Sequence, residues 1–305
     1  MFERGAFQGN SFEGGVDNRE PESFPDLDKV LELAEKNVFS LAIDPRDFAE
    51  PQGHYRKEAV EADIAYVEEL EQTFKKSDRE GGTLGNKSRE EALRKIARGF
   101  EAVILQSDAN EWFGPDAEML IPSRYDDIKN GVDGIVEFNH EQSFSHLVLA
   151  VDMVSSNNTE TIGRKLENIK NDIQKNNLAK VKYFESEQLK LKGEMTDIPR
   201  VVIGADRKTV QGLLSLFAEG KNKELAGHYM QMQMLREIQM QLESFSKFAD
   251  AEGKPKLVSA YNDAKLIVDR IIEEKIDTMG AHKVTKMEEE MNKDIAYRYI
   301  QGRTT

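Results

Sequence analysis

The chain has 305 residues, 39% of them hydrophobic and 32% charged, with a formal net charge of −14, a length that buries a sizeable core in one large or two modest domains. No apolar run approaches the ~18 residues of a membrane span and the first residues, Met1 to Gly15, hold no apolar signal core, which leaves membrane insertion and secretion without support and makes the cytoplasm the expected compartment. The absence of cysteine excludes disulfides, thiol nucleophiles and thiolate metal sites, and the acidic balance argues against sequence-independent coating of DNA.

Residues 1–25 are rich in Gly, Asn, Glu and Pro without periodicity, the composition of a disordered tail or of an arm that orders on a partner. A short helix is expected from Asp26 to Asn37, with Leu27, Val30, Leu31 and Ala34 on one side. Asp44-Pro45 and Pro51-Gln52-Gly53 interrupt it. A long amphipathic helix follows from about His54 to Lys76, apolar at Val60, Ile64, Val67 and Phe74 and acidic on its other, solvated face. Residues 26–80 thus read as a helical extension. The stretch 77–87, SDREGGTLGNK, reads as a Gly-rich linker and domain boundary; it lacks the strand and the Gly-Lys-Ser/Thr ending of a phosphate loop. Ser88, with Glu91 three residues on, opens a helix in capping-box style. Ile96, Phe100, Val103 and Ile104 carry that helix to about Asn110, and Glu101 lies within it.

Two strand-like runs come next. Along Val132 to Phe138, Asp133, Ile135 and Glu137 alternate with Val132, Val136 and Phe138, so two carboxylates share one face. The Asn130-Gly131 turn signal places Asp126 and Asp127 near the start of this strand, as turn caps or as further acids beside Asp133. After the polar link Asn139 to Ser145, His146 to Val154 is almost continuously apolar, as in a strand covered on both faces. Asp152 is its one charge. A lone carboxylate there costs several kcal/mol unless it is solvated, paired, protonated or bound to a cation. Either it is solvated at the strand end, or Asp133 and Asp152 converge on a hard divalent cation such as Mg2+ or Mn2+.

A helix from Ile162 to Lys175 buries Ile162, Leu166, Ile169 and Ile173. Between Arg164 and Lys192 eight basic residues face four acids; this local excess is either an ordinary lysine-rich surface or a rim for nucleic-acid phosphates. Lys180 to Phe184 and Arg200 to Gly204 read as strands, followed by a helix from Val210 to Ala218. The partial alternation of strands and helices over 88–222 points to an α/β core, a mixed sheet flanked by helices. Residues 223–305 differ in texture: Lys223 to Asp250, then Gly253 and Pro255, then Leu257 to Ile271 describe an antiparallel helical hairpin and a terminal helix. These helices either pack back on the core or mediate association with a protein partner or a second copy, and Met230, Met232, Met234 and Met240 serve as core filler or as an adaptable surface. The five histidines show no metal-ligand spacing.

Asp133 on one strand and Asp152 on the next, apolar strand resemble the PD-(D/E)XK nuclease superfamily over about residues 88–206. The resemblance implies a restriction-endonuclease-like core in which Asp133 and Asp152 bind magnesium for phosphodiester hydrolysis and in which the first helix contributes an acid, here Glu101. The motif's lysine position holds Val154. In this superfamily the lysine can migrate, which makes Lys165, with Arg164 beside it, the expected replacement. Asp126, Asp127 and Glu137 are accessory candidates. Two functions follow: a metal-dependent nuclease, or a catalytically inactive nuclease fold that binds or assembles through its helical arms.

Overall fold

The computed structural model describes residues 24–51, 53–80, 84–106, 111–140, 143–154 and 159–304, with the side chains of 74–80, 84–87, 139–140, 143–144 and 148–154 left outside the description. The tail expected over 1–25 therefore falls almost wholly outside it. Helix α1 (Leu27–Asn37) starts where Asp26 accepts the N–H groups of Asp28 and Lys29 at 3.0 and 3.3 Å, satisfying donors the first turn leaves free. Helix α2 (Lys57–Glu80) and helix α3 (Leu84–Leu105) run closer together than the linker over 77–87 implied. The correction has a local cause: Lys75, Lys76, Arg79 and Glu80 are good helix formers and carry α2 to Glu80.

The main sheet contains β1 (Ala117–Leu120), β2 (Gly134–His140), β3 (Ser143–Val154) and β6 (Arg200–Asp206), in the order β1-β2-β3-β6. The first two pairings are antiparallel, while β3 and β6 are parallel and are joined through α4 (Glu160–Gln174) and a following strand pair. The sheet is mixed, and the fold combines helix and strand in the α/β sense expected. The link read as Asn139 to Ser145 is shorter, since the strands extend to His140 and from Ser143. Strands β4 (Ala179–Ser186) and β5 (Leu191–Ile198) form a separate antiparallel pair rather than joining this sheet. They lie on β2 through a small core of Val132, Ile135, Val181, Phe184 and Ile198.

Helix α5 (Arg207–Ala218) packs with α3 on the sheet, and a short α6 (Asn222–Ala226) precedes the hairpin of α7 (Met230–Ala251) and α8 (Pro255–Met279). Gly253, at φ 67°, makes the sharp reversal between them, a conformation in which a side chain is strained. Helices α9 (Ala281–Met291) and α10 (Ile295–Thr304) complete the chain, with α7 and α10 lying against β6. Met230, Met232 and Met234 are all buried, the core-filling alternative. One hydrophobic cluster extends from Val30 in α1 to Ile300 in α10, so the helical extension, the sheet and the hairpin share a core. No helix among the described residues is long and apolar enough to cross a membrane.

Candidate functional site

Between β1 and β2 the chain makes a π-helical turn, Asp126–Asn130, closed by Gly131 at φ 63°. Asp126 builds this turn. It is fully buried, and its carboxylate accepts from Ser123 Oγ at 2.7 Å, Asn130 Nδ2 at 2.6 Å and the backbone N–H groups of Lys182 and Tyr183 at 2.8 and 3.1 Å. With both oxygens occupied, it ties the turn to β4 and caps that strand's free edge. This corrects its placement among the accessory acids: the turn-forming alternative is the one realised.

Asp127, one residue on, faces the other way. With Glu35, Glu71, Glu101 and Asp133 it lines a cavity of about 390 Å³ that also takes in Arg98 and Arg124. The walls come from α1, α2, α3 and the β1–β2 connection. Arg98 Nη1 lies 2.6 Å from Glu101 Oε1 and 3.8 Å from Asp127 Oδ2, with its guanidinium carbon 3.2 Å from the centre of the Phe39 ring. Arg124 pairs with Asp127 and, through Nε, with Glu71 Oε1 at 2.8 Å. Burial pushes the Glu101 carboxyl up to about 7; Arg98 opposes the shift, and the nearby charges of Asp133 and Asp127 add to it. Glu101 and Asp133, expected from different elements, thus sense each other across one space.

No family model, curated protein or solved structure matches this chain. The site is therefore read from its own geometry. Asp152 lies in β3 opposite Gly204, with its side chain outside the described residues. Among the described residues no three His, Asp or Glu side chains gather as metal ligands do. Five carboxylates face two guanidiniums in the cavity, but Glu71, Glu101 and Asp127 already pair with Arg124 or Arg98, so the described donors do not by themselves form a ligand set for a divalent cation.

Other expected residues stand apart. Glu137 is buried within β2, accepting from Ser186 Oγ at 2.9 Å and lying 2.9 Å from His146 Nε2. It joins β2 to β3 and β4, which corrects its accessory placement beside the cation; the His146 and Ser186 contacts hold its carboxyl below the usual range against the opposing effect of burial. Neither Arg164 nor Lys165 lines the cavity; Arg164 is exposed on α4 and Lys165 half-buried. The basic segment is divided between α4 and the β4–β5 pair, and two of its lysines are engaged internally, Lys182 with Asp63 and Lys192 with Glu185.

The cavity's arginines and Glu35 were not named from sequence, and Glu71 was read only as part of the solvated acidic face of its helix. Arg98 sits three residues before Glu101 on one helix, a spacing that brings the two side chains together. That signal was present. Glu35 and Glu71 carried none, because their place depends on how α1 and α2 pack.

Proposed function

We propose that this protein is a metal-dependent, nuclease-like protein with a restriction-endonuclease-like core that hydrolyses phosphodiester bonds of nucleic acid. The observation carrying this reading is that Glu101, from α3, and Asp133, from the connection immediately before β2, line one cavity. The mixed sheet supports it, with its antiparallel β1–β2–β3 side and its parallel β3–β6 pair spanned by α4. Register supports it too. Gly134 pairs with Leu149, so Asp133 and Asp152 differ by roughly two residue steps, about 7 Å, along adjacent chains.

In this reading Asp133 and Asp152 hold Mg2+ or Mn2+, with Asp127 at the cavity wall. A divalent cation held there would supply Lewis-acid polarisation of the phosphoryl oxygen and acidify the attacking water. Glu101, with a carboxyl near neutrality, is placed to take that water's proton. In this reading Lys165 and Arg164 on α4, with the exposed lysines of 164–192, meet the nucleic acid outside the cavity.

Val154 in the motif's lysine position, together with the absence of Arg164 and Lys165 from the cavity lining, favours a second reading: an inactive nuclease fold acting as a binding or assembly module. Incubation with single- and double-stranded DNA and RNA in Mg2+ or Mn2+ separates the two. Cleavage lost in both Asp133→Ala and Asp152→Ala supports the enzyme. Cleavage surviving either substitution removes the assigned site, and binding without cleavage supports the module.

A further inference from the structure

Lys275 on α8 is held differently from the lysines that make ion pairs. Lys95, Lys192, Lys247, Lys265 and Lys293 each meet a carboxylate at 2.6 to 2.8 Å, which favours the charged form. Lys275 Nζ instead donates to two neutral oxygens, the backbone carbonyl of Glu111 at 2.9 Å and Gln231 Oε1 on α7 at 3.0 Å. Gln231 is buried, and its Nε2 donates to the carbonyls of Ala226 and His228 at 2.7 and 3.2 Å, which turns its oxygen towards the lysine. An ammonium carries three donors and no lone pair; the neutral amine carries two donors and one lone pair. Two neutral acceptors therefore match the neutral amine and leave its lone pair as the third, unused direction. The residue is half-buried rather than enclosed. Burial lowers its pKa to about 8, with the charge of Glu111 opposing the shift and that of Lys283 on α9 adding to it.

We propose that Lys275 is a nucleophilic amine and a modification site that takes an acyl group from an acyl phosphate. The lone pair attacks the carbonyl carbon and the C–N bond forms. The C–O bond to the phosphate breaks, phosphate departs with that electron pair, and the surplus Nζ proton passes to water. Lys283 favours an anionic donor over a neutral one, because its ammonium attracts the phosphate end. The product amide keeps one N–H for two acceptors, so acylation frees either Gln231 or the Glu111 carbonyl and loosens the loop before Trp112 from the α7–α8 hairpin. Lys275 is not among the residues lining the cavity, and its chemistry is independent of any hydrolysis there.

The test treats the full chain with acetyl phosphate at pH 7.5 and follows the occupancy of each lysine by peptide mass spectrometry. An amine with a pKa of about 8 is roughly a quarter unprotonated there, against about a thousandth for an ordinary lysine. Lower basicity returns part of that advantage, so Lys275 should acylate roughly ten-fold faster than exposed Lys223 and Lys256. Its rate should level off above about pH 8 while theirs climbs towards about pH 10. Gln231→Glu sets a carboxylate beside the amine and should slow Lys275 roughly ten-fold at pH 7.5, with Lys223 and Lys256 unchanged, a pattern that unfolding does not give. Lys283→Met, at an exposed position, should slow Lys275 roughly three-fold with acetyl phosphate and less with p-nitrophenyl acetate, a neutral donor. Acylation of Lys275 no faster than that of Lys223 and Lys256 overturns the proposal, as does a rate at Lys275 that neither substitution changes. Equal slowing of both reagents in Lys283→Met overturns the assignment of an anionic donor.

Discussion

Glu237 of α7 accepts the backbone N–H of Gly204 on β6 at 3.0 Å, from a position with no solvent exposure. It is the middle rung of a ladder. Gln241 receives the N–H of Val202 at 2.8 Å and donates to its carbonyl at 2.7 Å, and Gln233 donates to the carbonyl of Gly204 at 3.1 Å and to Glu237 at 3.2 Å. Three side chains at helical spacing thus do for the edge strand what another strand would. Burial holds the Glu237 carboxyl well above the usual range, outweighing the Gly204 and Gln233 contacts. A raised native value means the contribution to stability is full below the unfolded-state value and is lost as pH rises towards the native one. Urea unfolding should therefore show the wild type weakening between about pH 5 and about pH 8, while Glu237→Gln stays level and is the more stable protein at the higher pH. Glu237→Leu strands the Gly204 N–H and should cost roughly 1–3 kcal/mol at either pH. A level wild-type profile would mean that the carboxyl is not neutral in the fold.

The same ladder marks a limit of pattern reading. Ile162, Leu166, Ile169 and Ile173 were legible as the buried stripe of α4 because apolar residues at that spacing have one reasonable destination. Gln233, Glu237 and Gln241 recur at helical spacing too, yet a polar stripe is ordinarily solvated, and nothing local says that this one meets a strand edge. Strand β1 escaped because four residues are too few for alternation, and each is half-buried. Strand β5 escaped because its mostly exposed side chains, with Gly193 at φ 138° and Asp197 at φ 60°, resemble a loop. At the cavity, Asp133 could be named from the alternation along its run, and Glu101 only through the resemblance to the nuclease superfamily. Arg124, Glu71 and Glu35 could not, because only the packing of α1 and α2 brings them there.

Glu101 offers a pH test at the cavity itself. Its folded value of about 7 lies above that of an unfolded glutamate, so the stabilising neutral form prevails below the unfolded value, and the contribution is lost as pH rises through about 7. Glu101→Gln should match the wild type near pH 5 and exceed it by about 1–2 kcal/mol near pH 8, after allowance for partial exposure of the side chain. Carbon-detected NMR of the carboxyl checks the origin, since its titration midpoint should fall in Asp133→Asn when a neighbouring negative charge is removed. A midpoint indifferent to residue 133 would separate the two side chains electrostatically.

Asp126 and Asp127 are adjacent acids with opposite assignments, which makes them a matched pair for mutation. Asp126→Ala leaves two buried backbone donors of β4 and two side-chain donors unpaired, and should cost about 2–4 kcal/mol in urea unfolding. Asp127→Ala breaks partly exposed ion pairs with Arg98 and Arg124 and should cost less than about 1 kcal/mol. Any loss of divalent-cation or nucleic-acid binding in Asp127→Ala then reports on the cavity rather than on folding. Equal destabilisation by the two substitutions would contradict this division of roles.

Lys182 shows how α2 is held over the cavity. Its ammonium pairs with Asp63 of α2 and lies 5.1, 5.4 and 5.3 Å from the ring centres of Tyr55, Tyr125 and Tyr183, while the Tyr183 hydroxyl donates to Asp63 at 2.7 Å. Most described side chains of α2 outside this region are exposed, so this half-buried cation adds to the attachment that Val60 and Val67 make. A lysine enclosed in this way is withdrawn from any phosphate-facing rim. Lys182→Met keeps the aliphatic stem and removes the charge, at a global cost of about 1–2 kcal/mol for a partly desolvated cation–π and ion-pair site. The sharper readout is local. Backbone amides of α2 near Asp63 should exchange hydrogen faster in the variant, while those of β2 and β6 keep their protection. The cavity should become more accessible at the same time, because Glu71 rides on the same helix and its pair with Arg124 is then the remaining ion pair tethering α2 among the described residues. Unchanged exchange along α2 would place its attachment in the apolar contacts of Val60 and Val67 instead.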